Sequence, residues 1–251
     1  MLRAVASIAA LAALGGIASG PSGSAAGASA CSNLRQAAHR PGTLRHHSLR
    51  GDVTGDRVPD RVAVIEDRHA AFRCRYGVGV FSGGRVLLYP LGRFLDKPSE
   101  AIGSDWPLIR LLARVDRRPG AEILLALSHG ASFEQSRLLT VRRGRLQQLA
   151  MPRAYRGELD YGSVAAFGNN FDCRARGSGV VVAAWYSLLD PQGRRWQYGL
   201  TRYRLIAGQL RVEGRRSVIV RTYRAPAWWN RYYTEREPFR RCSIAKYPTP
   251  N

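Results

Sequence analysis

Lysine is nearly missing from this chain, occurring only at positions 97 and 246, so almost all of its positive charge is arginine. Acidic residues are also few, 18 against 39 basic ones, which leaves a formal charge of +21. There is no C-x-x-C pair among Cys31, Cys74, Cys173 and Cys242, which disfavours zinc and thioredoxin-like chemistry. Walker loops, dinucleotide fingerprints and H-E-x-x-H sequences are absent too, so the common phosphate, cofactor and metalloprotease signatures are excluded. Beyond the N-terminus no apolar run approaches the ~20 residues that a membrane-spanning helix needs.

What is present begins with a leader. Arg3 supplies a positive start, Ala4 to Ala18 form a weakly apolar run, and Ala28-Ser29-Ala30 gives the small-x-small pattern of a cleavage site. Residues 1–30 therefore read as a secretion signal, and about 220 residues remain, enough for one single-core domain. In an oxidising compartment four widely spaced cysteines imply two disulfides, with three pairings open. Cys31 directly follows the cleavage pattern, so a lipid anchor there is the alternative. Against it, position 28 is Ala where a lipoprotein signal usually has Leu, and a lipid at Cys31 would leave an odd thiol count.

A charge of this size attracts polyanions. For an exported protein these are envelope phosphates, acidic polysaccharides and anionic headgroups. Nucleic acid is the less expected partner, because no aromatic-plus-basic motif of known spacing is present.

The chain also repeats. One unit opens at Asp52, enters Val62-Ala63-Val64-Ile65, continues through Tyr76 to Phe81 and closes on Gly84-Arg85-Val86. A second opens at Asp116, enters Ile123-Leu124-Leu125-Ala126-Leu127 and closes on Gly144-Arg145-Leu146. A third has Asp172, Val180-Val181-Val182 and Gly208-Gln209-Leu210. The closing glycines lie 60 and 64 residues apart and the opening aspartates 64 and 56, so two landmarks share one period. Apolar runs of four to six residues, rich in Val, Leu and Ile and divided by Gly-containing turns, suit strands rather than helices. The predicted class is all-β, made of repeated four-stranded meander units. A single β-repeat domain would cover 48–251, with units at about 48–95, 107–150 and 160–220 and a C-terminal cap at 221–251. Residues 31–47 read as a linker with a short helix over Ser32 to His39.

The string Gly51-Asp52-Val53-Thr54-Gly55-Asp56-Arg57-Val58-Pro59-Asp60, leading into Arg61-Val62-Ala63-Val64, resembles an FG-GAP or VCBS-type repeat, the blade of integrin-type propellers. The resemblance is clear over these residues and traceable over about 50–215. It implies a propeller-like array that is partial or small, since family rings of about seven blades exceed this length. It also implies one structural calcium ion held by Asp52, Thr54, Asp56 and Asp60 with the carbonyl of Val58, hard oxygen donors around a tight turn. This chain departs from the pattern at Arg57, where the family has glycine, and at the later loops, which lack the carboxylate cluster. The competing reading is a turn whose aspartates cap backbone amides.

Other candidates are weaker. His46-His47 and Ser128-His129 lack a recognised catalytic context. The stretch Trp228, Trp229, Arg231, Tyr232, Tyr233 could stack on sugar rings or lie on an anionic polymer, or else cap the last sheet, held by Cys242. The expected function is a non-enzymatic, exported protein that binds an anionic envelope or extracellular partner, polymer or protein. The alternative is a secreted hydrolase of envelope polymers, for which Asp105, Asp116, Glu122, Asp160 and Asp172 are the carboxylates to pair.

Overall fold

The computed structural model describes residues 31–71, 74–92, 107–129, 133–150, 159–164, 166–190, 192–221, 223–233 and 237–246. The leader at 1–30, Asp105, and the side chains of His46, His47, His129 and Asp160 lie outside the described residues.

Among the described residues, fourteen strands and two short helices make an all-β arrangement of antiparallel sheets. Strands β1 (Leu44–Gly51), β2 (Asp60–Glu66), β3 (Tyr76–Ser82) and β4 (Arg85–Pro90) form a four-stranded meander in chain order. Next come β5 (Leu108–Ala113), β6 (Glu122–His129), β7 (Phe133–Arg142) and β8 (Arg145–Gln148), then β9 (Leu159–Val164), β10 (Phe167–Cys173), β11 (Val180–Leu188), β12 (Trp196–Ile206) and β13 (Gln209–Val220). These and the short β14 (Ser243–Lys246) form one sheet in the order β13-β12-β11-β10-β9-β7-β6-β5-β14, with β8 on β7. The join is a shared edge: Phe133 to Ser136 of β7 pair with β9, while Leu139 to Arg142 pair with β8. Among the described residues this sheet is open, ending on β13 and β14 rather than closing into a ring.

Each closing glycine sits where a two-residue hairpin turn needs it. The turns link Ser82 to Arg85, Arg142 to Arg145 and Ile206 to Gln209. Both central residues are left-handed in all three, and the second is always glycine, at φ 76°, 69° and 85° for Gly84, Gly144 and Gly208. That geometry matches the twist of the flanking strands, and glycine adopts it without the penalty a Cβ brings.

The meanders stack. Val62, Val64, Val78 and Val80 of the first sheet bury against Ile109, Ile123, Leu125 and Leu139. On the opposite face of the second meander, Leu111, Leu124 and Leu138 pack against Phe171, Val181 and Tyr203 of the third, so the long sheet folds over at β9. Strand β6 is thus buried on both faces, which is why its sequence is a continuous apolar run.

The two outer faces are closed by non-sheet segments. Helix α1 (Ser32–Ala37) lays Leu34 and Ala37 beside Ile65, so 31–43 is a folded cap rather than a linker, and β1 begins at Leu44. Helix α2 (Ala227–Asn230) and the residues after it cover the outer face of β11 and β12. A disulfide staples each cap, Cys31–Cys74 at one end and Cys173–Cys242 at the other, and no described cysteine is free. This selects one of the three pairings. A lipid thioether at Cys31 would need the sulfur that bonds Cys74. No helix among the described residues is long and apolar enough to cross a membrane.

Candidate anion-binding cleft

The Asp52–Asp60 loop joins β1 to β2, and its carboxylates face their own backbone. Asp52 accepts from the amides of Gly55 (2.6 Å) and Arg57 (3.1 Å), and Asp56 from Val58 (2.8 Å). One oxygen of Asp60 accepts from Val53 and Thr54, both at 2.8 Å. Arg57 stands at φ 69°, the left-handed conformation that glycine usually supplies. Only the other Asp60 oxygen and the Thr54 hydroxyl are buried without a hydrogen-bond partner in the protein, far short of the about six to eight oxygens of a calcium shell. Among the described residues no three His, Cys, Asp or Glu side chains gather to hold a metal. Asp52, Thr54, Asp56, Val58 and Asp60 therefore do not fit a calcium ion. They form a self-closed turn.

The corresponding loop between β5 and β6 is built the same way. Glu122, the first residue of β6 as Asp60 is of β2, accepts from the Val115 amide at 2.9 Å. The two loops interlock: the Ala121 amide donates to the Asp52 carbonyl at 2.8 Å. A Cβ at Gly120 would lie 2.5 Å from the Val53 carbonyl oxygen, so only glycine permits the approach. The next turn joins in turn, with the Gly177 and Gly179 amides donating to Arg114 and Val115 carbonyls, both at 2.8 Å.

These carboxylates do not assemble a hydrolytic pair. Glu122 is 2% exposed, and burial, with the nearby Asp116 charge, pushes its carboxyl up to about 7 against the pull of the Val115 amide. Asp116 accepts from the Arg118 amide and pairs with Arg142 at 3.3 Å. Asp172 is buried under the C-terminal segment, where its carboxyl is raised by desolvation and accepts from the amides of Cys173 and Arg241. Each has a backbone task, and none lines the cleft described next.

That cleft lies on the outer face of the third meander. Along β12, Thr201 and Tyr203 point inward and are buried while Arg202 and Arg204 point outward and are exposed, the period-two alternation of a half-buried strand. Paired beside them on β11 are Val182 and Val180, which form an apolar floor. One compartment of about 560 Å³ is walled by Arg117 from the β5–β6 loop, Arg174, Ser178, Arg202, Arg204 and Arg231. A second of about 350 Å³ shares Arg202, Arg231 and Tyr232 and adds Arg215, Arg216, Trp228 and Leu200. Seven arginines thus line two adjoining compartments, and among the described lining groups there is no carboxylate, side-chain amide or histidine. Among the described ion pairs, Arg204 is the one of the seven that meets a carboxylate, that of Glu213, which is held low by the contact.

The C-terminal aromatic stretch divides between two roles. Trp229 is 5% exposed, donates its indole N–H to the Trp185 carbonyl at 2.9 Å, and stacks on Tyr233 with ring centroids 4.2 Å apart. These two belong to the cap. Trp228, Arg231 and Tyr232 face the groove instead. Arg216 sits 4.4 Å over the Trp228 ring and Arg241 5.3 Å over Tyr232, fixing that wall by cation–π contact. Sequence alone pointed to Arg231 and the aromatics but missed Arg117, Arg174, Arg202, Arg204, Arg215 and Arg216. The signal available was the exposed Arg202-x-Arg204 alternation between buried Thr201 and Tyr203.

No protein-family model, curated protein or solved structure matches this chain.

Proposed function

We propose that this is an exported, non-enzymatic protein of three FG-GAP-like β-units that binds an anionic polymer of the envelope or extracellular space in the arginine groove. The observation that carries this reading is the groove's lining, in which every described charged side chain is an arginine drawn from five separate stretches of chain. A concave site of one sign concentrates counter-ligand well beyond what scattered surface charge achieves. The two disulfides suit an oxidising environment and agree with the leader read at 1–30. The loop carboxylates close their own turns, whose backbones hold the units to one another, and take no part in binding.

The test is sedimentation of the disulfide-intact mature protein with purified anionic cell-wall material across a salt series, beside the Arg202→Ala, Arg231→Ala double variant. Both side chains are exposed and lie in both compartments, so the variant should fold normally. Removing two of the contacts should lower the slope of log affinity against log salt by about 1.5. Pelleting that the double variant leaves unchanged would mean that diffuse charge, not the groove, does the binding.

A further inference from the structure

If the groove binds an anionic polymer, its hydrogen-bonding character selects among them. The lining groups are overwhelmingly donors: guanidinium forks in both compartments and an indole in the second, with the Tyr232 hydroxyl also able to accept. Ser178 adds little accepting capacity, because its hydroxyl already accepts from the Val180 amide at 3.2 Å and the Ala175 amide at 3.4 Å. With no carboxylate or side-chain amide among the described walls, most ligand hydroxyl or amide donors would give up water without a side-chain replacement. A ligand that presents only oxyanion acceptors loses nothing of the kind, and planar guanidinium forks engage such oxyanions two bonds at a time.

We infer that the ligand is a phosphate polymer, a chain whose repeating group is a phosphate oxyanion and which carries few hydroxyl donors, rather than a polyuronate or other hydroxyl-rich polysaccharide. This rests on the groove reading above and narrows it. The two compartments add a length requirement. Arg202, Arg231 and Tyr232 are common to both, so one chain can pass from the Arg117–Arg174 end to the Arg215–Arg216 end. Arg202 and Arg204 stand two residues apart on one face of β12, about 7 Å; Arg204 is shared with Glu213, so Arg202 is the principal guanidinium that meets the chain between the two ends. A short oligophosphate fills one compartment and forgoes the gain in effective concentration that joins the two.

The experiment measures binding of inorganic polyphosphate, tripolyphosphate, polygalacturonate and single-stranded DNA at one fixed ionic strength, with affinities expressed per anionic group. The expected result is long polyphosphate about tenfold or more tighter than polygalacturonate and tripolyphosphate. The Arg202→Ala, Arg231→Ala protein, checked for native near-ultraviolet dichroism, should lose that preference. If polygalacturonate binds as tightly as polyphosphate and the double variant weakens both equally, the groove stands and the phosphate preference is wrong. Tighter binding of single-stranded DNA would also overturn it, since the bases would then contribute. Polyphosphate affinity untouched by the double variant would remove the groove reading and this inference together.

Discussion

Replacing Cys173 and Cys242 by alanine tests whether the C-terminal segment is clamped as a wall of the groove. Their bridge spans 69 residues of sequence, and opening a loop of that length returns about 4.4 kcal/mol of chain freedom to the denatured state. That figure is a ceiling. Other contacts hold the segment: the Phe239 amide on the Phe171 carbonyl at 2.7 Å, the Arg241 amide on Asp172 at 2.9 Å, and the buried Trp229. A loss of about 2–4 kcal/mol is expected, which for a domain of this size lowers Tm by about 5–15 °C. Alanine is the right substitute because both sulfurs are fully buried, and serine would add hydroxyls without partners. The segment carries Trp228, Arg231 and Tyr232, so polymer affinity should fall about fivefold as ordering that wall is charged to binding. The Cys31→Ala, Cys74→Ala protein is the internal control. Its bridge spans 43 residues, giving a similar ceiling of about 4 kcal/mol, yet it staples the opposite end and should leave affinity unchanged. Thermal unfolding followed by dichroism, with binding measured on the same samples, reads both effects. Equal loss of affinity in the two variants, or none in either, would refute the clamp.

Two further outcomes follow from the carboxylates. Glu122 holds its proton up to about pH 7 when folded and to about 4.5 when unfolded, so between those values the folded state binds the extra proton and stability falls as pH rises. The whole span is worth about 3 kcal/mol, and Glu122→Gln, which keeps an acceptor for the Val115 amide, should match the wild type near pH 4.5 and exceed it by about that much at pH 8; a gap that does not widen with pH would show that the buried carboxyl is charged. The self-closed Asp52 loop should be indifferent to metal, with Tm in calcium and in chelator agreeing within about 1 °C, whereas a rise that grows with the logarithm of calcium concentration would mean that the aspartates turn to a cation.

The parts of this structure legible in the sequence are those set by near neighbours. Gly84, Gly144 and Gly208 mark their turns because a two-residue hairpin constrains its own residues. The loop aspartates declare a tight turn but not its contents, since a capped turn and a calcium loop use the same residue types at the same spacing. Alternation misleads on the edge strand β13: Leu210 is buried, but Val212, two residues on and beside a register shift against β12, is 46% exposed. The adjacent pair Trp228-Trp229 looks alike in sequence, yet one turn of helix sends the first to the groove and the second to the core. The seams are the least legible features. Pairing of β14 with β5 and of β9 with the free half of β7 depends on which edges the rest of the fold leaves open. For the same reason no local pattern brings Arg117 beside Arg202.

The placement of the acidic residues makes the surface more basic than the composition states. Among the described residues seven of them, Asp60, Glu122 and Asp172 included, are buried, where several hold backbone amides or arginines, while most of the described arginines are exposed. The formal excess of +21 counts those inward charges as though they screened the outside. Burial also concentrates the effect, because carboxylates such as Glu122 and Asp172, which accept from backbone amides, are not turned to surface arginines as Glu213 is to Arg204. A molecule arranged in this way repels itself, and that self-repulsion weakens the compact state. Both stack ends are stapled by disulfides, which raise stability without adding charge. A bound polyanion would relieve the same repulsion. The stapled caps hold the arginine-rich face folded, and under the proposed function the groove is where its charge would be met.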